Sequence, residues 1–140
     1  MRRNVAILVF DDVEVLDFAG PFEVFSVTDE LRDASAFNVF TVAPKPGTVR
    51  ARNGLKVVPD YAIERCPEAQ VLVIPGGFGT RALIANPLVL EWIRARSNAA
   101  EVTMAEVAWP AMLVGSIVRS VMGNVISSHV FRNAPSTVTI

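Results

Sequence analysis

The stretch VLVIPGGFGT at residues 71–80 joins a short apolar run to a loop of unusual glycine density. A short run of β-branched and aliphatic residues is typical of a strand buried on both faces, as in a parallel sheet. Pro75 and the Gly76-Gly77 pair end this strand. Because glycine permits close backbone approach and positive φ, Gly76 and Gly77 can present N–H groups to a developing negative charge; a tight strand-to-helix turn is the alternative interpretation.

A second apolar run, residues 5–10, predicts another doubly buried strand, and the stretch VEVLDFAGPFEVF at residues 13–25 follows it. Asp17 can hold a proton of a substrate or water, orient a thiol, or simply interact favourably with a helix N-terminus. Since proline suits a first helical turn, we expect the main helix to begin near Pro21 and to run to about residue 31. Helical spacing predicts an apolar stripe made of Leu16, Ala19, Val24, Val27 and Leu31.

The rest of the chain alternates predicted strands with predicted helices, which indicates an α/β fold with a mostly parallel sheet. Asn53-Gly54 predicts a two-residue hairpin turn. In the helix that begins at Asn86-Pro87, we expect Leu88, Trp92 and Ile93 to face inward. The predicted segments are strands 37–43, 70–74 and 101–104, hairpin arms 48–52 and 55–58, one helical turn at 61–65, and helices 86–97 and 110–121.

Composition restricts the classes of function. The chain has 140 residues, 51% of them hydrophobic, and a net charge of −1, which predicts one compact domain that binds neither nucleic acid directly nor an anionic membrane. No apolar run approaches the ~18 residues of a membrane span. A single cysteine excludes an internal disulfide and a cysteine-based metal cluster, so we expect a cytoplasmic protein without metal or cofactor.

In an open α/β sheet, ligands bind beyond the carboxyl ends of the strands, where Asp17 and Gly76-Gly77 are expected to lie. A third strand-to-helix turn at residues 103–110, TMAEVAWP, contains no Cys, Ser or Lys. Cys66 precedes a strand and is therefore expected at the opposite end of the sheet. His129 is far in sequence from any acidic partner, so a Cys–His pair is not expected.

The motifs LDFAGPFEVF at residues 16–25 and IPGGFGT at residues 74–80 resemble those of the ThiJ/PfpI superfamily of class I glutamine amidotransferase-like proteins. The similarity covers about residues 4–102 and is greatest to the isonitrile hydratase branch and to the sensor domains of AraC-type regulators. It implies a flavodoxin-like three-layer sandwich. It also implies that Asp17 is the acidic partner of a nucleophile, and that Gly76, Gly77 and Phe78 form the oxyanion and substrate-binding region.

The same resemblance implies a cysteine nucleophile that this chain lacks. Counting forward from Val102-Thr103 puts Glu106 in its position, whereas counting back from Ser128-His129 puts Trp109 there. A carboxylate pair of Glu106 and Asp17 would be an alternative way to activate water.

The family usually continues beyond this histidine, so we expect residues 1–140 to be a single domain that is incomplete at its C-terminus. The expected function is that of an isonitrile hydratase-like hydrolase or lyase for a small molecule, impaired by the missing nucleophile and therefore a pseudoenzyme. The alternative is a non-catalytic domain that binds a small molecule or regulates a partner. An unfinished sheet with apolar edges also predicts a homodimer.

Overall fold

A parallel five-stranded sheet organises the computed structural model, which describes residues 1–105. The strands are β1 (Arg3–Leu8), β2 (Phe37–Ala43), β3 (Val49–Arg50), β4 (Lys56–Val57), β5 (Tyr61–Ala62), β6 (Val71–Ile74) and β7 (Val102–Ala105). The helices are α1 (Val15–Leu31), α2 (Thr80–Ile84) and α3 (Pro87–Ala99), with 3-10 turns at Arg52–Gly54 and Ile63–Arg65. The strand order is β5-β2-β1-β6-β7, while β3 and β4 form a separate antiparallel pair. The predicted α/β fold with a mostly parallel sheet is confirmed.

Strand β1 lies at the centre of the sheet and is buried on both faces, as its apolar run predicts. Val5 pairs with Val39 of β2 on one side and with Val71 of β6 on the other. Ile7 and Leu8 are fully buried. Each fully buried aliphatic side chain of this size stabilises the fold by about 1.5–3 kcal/mol relative to an exposed one. The core therefore surrounds β1, and its carboxyl end is held in a fixed place.

Helix α1 differs from its prediction in where it begins. It is one continuous helix from Val15 to Leu31, with Pro21 inside it rather than at its start. Pro21 has no N–H to offer the carbonyl of Asp17, one turn earlier, so the helix forms with one backbone hydrogen bond fewer. The burial of Phe18 in the first turn supplies packing that offsets this loss.

The predicted apolar stripe of α1 was also wrong for four of its five residues, and only Ala19 packs against the core. Leu16 and Leu31 are 78% and 79% exposed, and Val24 and Val27 are exposed as well. The face that meets the core instead carries Phe18, Phe25 and Asp29, which are spaced by seven and four residues. Because apolar side chains occur all around this helix, periodicity alone did not distinguish its buried face.

A buried carboxylate secures the C-terminal end of α1. Asp29 Oδ1 accepts hydrogen bonds from the backbone N–H groups of Ala36 (2.9 Å) and Phe37 (2.8 Å), and Oδ2 forms an ion pair with Arg2. Burial alone would raise the pKa of Asp29, but the Phe37, Arg2 and Ala36 donors together hold this pKa below its usual value of 3.8. Asp29 thus joins the end of α1 to the beginning of β2 in its charged form.

We expect Asp29→Asn to lower the melting temperature at neutral pH, because the amide removes the charge that Arg2 pairs with. A lowered folded-state pKa stabilises the fold above the unfolded-state pKa, and this contribution disappears as pH falls through the folded value. Wild-type protein should therefore lose stability as pH decreases below about 4, more steeply than Asp29→Asn. Thermal melting followed by circular dichroism from pH 7 to pH 3 measures this; parallel curves for the two proteins would contradict it.

Several shorter segments refine the sequence predictions. The Asn53-Gly54 hairpin is present, but its arms end at Arg50 and Lys56, so the connection has five residues instead of two. Asn86 caps α3 by accepting hydrogen bonds from the N–H groups of the next turn. Leu88 was wrongly assigned to the interior: it is 72% exposed, while Val89 and Ile93 are buried. The segment predicted as a helical turn begins with strand β5.

No helix within residues 1–105 is long and apolar enough to cross a membrane.

Candidate functional site

The carboxyl ends of β1 and β6 bring Asp17 and the glycine pair together. Asp17 lies in the first turn of α1, and its Oδ2 accepts a hydrogen bond of 3.2 Å from the backbone N–H of Gly76. Asp17 is partly buried. The sequence predicted this proximity from the shared edge of a parallel sheet. In this arrangement the Gly76 N–H is already engaged, whereas the Gly77 N–H has no acceptor within residues 1–105.

The loop after β6 packs backbone against backbone on the loop after β1. Glu14 N donates to Gly76 O at 3.0 Å, and Val13 forms an antiparallel bridge with Gly77. Gly77 has a φ of +130°, and a Cβ on it would come within 2.5 Å of the carbonyl oxygen of Asp12. A Cβ on Gly79 would lie 1.8 Å from Asp11 O. The glycine density of this loop therefore follows from close approach, which fixes the position of everything between Gly76 and Gly79.

We expect Gly79→Ala to destabilise the fold by more than about 1 kcal/mol, since the backbone of Asp11 cannot yield as a flexible side chain would. Glu91→Ala is the control for a change to alanine, because Glu91 is exposed within α3. Alanine is the most favourable helix residue, so the control should be close to neutral or slightly stabilising. Urea denaturation gives both values, and equal stability of the two variants would contradict the close approach.

Phe78 projects from this fixed loop and is flanked by two arginine side chains. Its ring is 51% exposed, with the Arg52 guanidinium 4.1 Å and the Arg81 guanidinium 5.9 Å from its centroid. Arg52 Nε also lies 3.7 Å from a carboxylate oxygen of Glu14. No sequence motif distinguishes these two arginines from the other nine in the chain. Only the contact between the hairpin turn, α2 and the glycine loop brings them together.

The single cysteine lies at the opposite end of the sheet. Cys66 precedes β6, and the neighbouring Glu68 accepts a hydrogen bond from Asn4 at the beginning of β1. The Cys66 thiol is buried and donates to Pro67 O, and burial raises its pKa, an effect that the charge of Arg96 partly opposes. A raised pKa disfavours the reactive thiolate. Cys66 therefore does not meet Asp17.

The remaining candidate site residues do not add to this arrangement within residues 1–105. Glu23, the other carboxylate of the LDFAGPFEVF motif, is exposed on α1. Glu106, Trp109 and His129 lie outside the described residues. Within the described range, no three His, Cys, Asp or Glu side chains are grouped closely enough to hold a metal ion.

Comparison with known proteins identifies the family to which this chain belongs. The profile of the DJ-1/PfpI family matches residues 3–116. Isonitrile hydratase of Pseudomonas putida is 28% identical over 97 residues, which are 69% of this chain and 40% of that protein. A ThiJ/PfpI family protein from Pseudomonas syringae has a similar crystal structure, with a TM-score of 0.70 and 26% identity over 84% of this chain and 46% of that one.

A putative transcriptional regulator protein from Vibrio parahaemolyticus has the same fold, with a TM-score of 0.62 and 18% identity. The match covers 75% of this chain and 56% of that one. The chain thus spans less than half the length of both the hydratase and the Pseudomonas syringae protein.

Proposed function

The chain belongs to the DJ-1/PfpI family, and we propose that it is a small-molecule-binding domain related to isonitrile hydratase whose hydratase-type activity is impaired. The pocket proposed lies beside Asp17, Gly76, Gly77 and Phe78. The observation that carries this proposal is the hydrogen bond between Asp17 and Gly76, because it holds a carboxylate at the edge of the sheet where α/β proteins bind ligands.

The geometry supports binding in two ways. Asp17 uses Oδ2 toward Gly76 and is only partly buried, so its carboxylate keeps lone pairs for a ligand N–H, O–H or a water molecule. Gly77 offers a backbone N–H to an acceptor on the same ligand. A side-chain acceptor and a backbone donor, both positioned by these loops, can orient a small polar molecule without rearrangement.

The position of the only thiol supports impairment. Hydration of an isonitrile adds water to its terminal carbon and yields an N-substituted formamide, which requires a nucleophile at that carbon. The family resemblance assigns that task to a cysteine, whereas Cys66 is buried at the other end of the sheet. Loss of a catalytic nucleophile lowers turnover by roughly a millionfold in a well-studied protease, and a comparable loss is expected here.

We expect no formamide production from cyclohexyl isocyanide above the buffer rate, because within residues 1–105 no thiol lies beside Asp17 and Gly77 to attack the isonitrile carbon. The same compound should still raise the melting temperature, since the proposed pocket binds it. Asp17→Asn should reduce this stabilisation, because the amide changes the polar groups that face the ligand. Chromatography of the product and thermal shift measure the two effects.

Glu23→Gln is the matched control, since Glu23 is an exposed carboxylate on the same helix. This variant should keep the ligand-dependent thermal shift. Formamide production well above buffer would contradict impairment, and a complete absence of thermal shift in wild-type protein would contradict the pocket.

We also propose a homodimer, in which an apolar side of α1 contributes to the interface. The exposed apolar side chains of this helix, Leu16, Val24, Val27 and Leu31, cost the monomer solvation free energy that association would recover.

Val24→Asp should therefore convert a species of twice 15.2 kDa into a monomer. Leu88→Asp, which changes an equally exposed apolar residue on α3, should leave the mass unchanged. Sedimentation equilibrium at micromolar concentration measures both. A wild-type monomer would refute the dimer, and a Val24→Asp dimer would place the interface elsewhere.

A further inference from the structure

Phe78 is an exposed aromatic side chain that the fold holds in one position. Its neighbours Gly77 and Gly79 both approach the backbone of residues 11–14 so closely that neither can carry a Cβ without displacement. Half of the Phe78 side chain nevertheless faces solvent. A large aromatic ring on a rigid loop contributes little to the core when it is exposed, but it presents a preformed apolar surface to a ligand.

Two guanidinium groups from different parts of the chain accompany this ring. Arg52 comes from the turn between β3 and β4 and lies 4.1 Å from the ring centroid, whereas Arg81 comes from α2 and lies 5.9 Å away. Among residues 1–105, Glu14 is the one carboxylate within 4 Å of the Arg52 guanidinium, and at 3.7 Å this ion pair is beyond hydrogen-bond distance. Arg81 has no carboxylate partner within residues 1–105. Within residues 1–105, the ring therefore has two neighbouring guanidinium groups, and neither has a carboxylate within hydrogen-bond distance.

Backbone hydrogen bonds connect this cluster to the proposed pocket. Arg52 N donates to Val13 O at 3.0 Å, and Val13 bridges to Gly77. Gly76, the preceding residue, donates to Asp17. The backbone of Asp17, Phe78 and Arg52 is thus positioned by the same pair of loops.

From these contacts we infer that the ligand of this site carries a carboxylate, which Arg52 and Arg81 bind beside the Phe78 ring while its uncharged end faces Asp17. The inference rests on the proposed function and specifies its substrate class. The planar guanidinium fork matches a carboxylate with two parallel hydrogen bonds. The negative charge of Asp17 orients the molecule, because it disfavours a bound carboxylate at its own end of the pocket.

The test uses two isonitriles that differ in charge and otherwise share the reacting group: isocyanoacetate and its neutral methyl ester. Isothermal titration of the full chain should give an affinity for the anion that is about tenfold higher than for the ester. In an Arg52→Gln, Arg81→Gln double variant this ratio should fall to about one. Arg65→Gln is the matched control, since Arg65 is exposed on the 3-10 turn before Cys66, and it should keep the ratio.

A measurement on unmodified protein covers the case in which the double variant does not fold. Raising the salt concentration screens charge, so binding of the anion should weaken while binding of the ester stays constant. Three results would overturn the carboxylate inference while leaving the pocket intact. They are equal affinity of wild-type protein for the two compounds, an affinity ratio that is unchanged in the double variant, and binding of the anion that does not depend on salt. Binding of neither compound would overturn the pocket and the inference with it.

Discussion

The close backbone contact between the loop after β1 and the loop after β6 is the constraint on which the site depends. Gly77 and Gly79 permit it, because any side chain there would collide with the carbonyl oxygens of Asp11 or Asp12. The contact fixes where β1 delivers the chain into α1, and therefore where Asp17 stands. It also keeps Phe78 at the protein surface. The absence of a side chain at Gly77 and Gly79 thus sets the geometry of the site.

Helix α1 is held at both ends by carboxylates that accept backbone hydrogen bonds. Asp17 accepts from Gly76 at the carboxyl edge of the sheet, and Asp29 accepts from Ala36 and Phe37 at the amino edge. The hydrogen bonds at the two ends of α1 have different roles. Asp29 is buried and paired with Arg2, so its role is to hold the fold, whereas the partly buried Asp17 is the carboxylate that we propose faces a ligand.

Much of the sheet could be predicted from the sequence, because short β-branched runs have few alternatives to a doubly buried strand. The run at residues 37–43 coincides with β2, and those at 5–10 and 70–74 overlap β1 and β6 within two residues at each end. The side of each helix that faces the sheet was harder to predict. The buried face of α1 and the exposure of Leu88 depend on which side meets the sheet, and apolar residues on several sides of a helix do not indicate that.

The site was predictable where it follows from strand direction and unpredictable where it follows from contacts between distant segments. Asp17 and Gly76 come after parallel strands, so their proximity was expected. Arg52 and Arg81 meet Phe78 only because the hairpin turn and α2 pack against the same loop. The assignments of Glu106 and Trp109 to the family's nucleophile position stay predictions.

Membership of the DJ-1/PfpI family and the position of Cys66 lead to one central claim, that this domain binds a small molecule without the thiol chemistry the resemblance implies. A crystal structure of the full chain with isocyanoacetate tests it most directly. The account predicts electron density for an intact, non-covalent ligand between Asp17, Gly77 and Phe78. A protein side chain such as that of Trp109 filling this space, with no ligand bound, would contradict it.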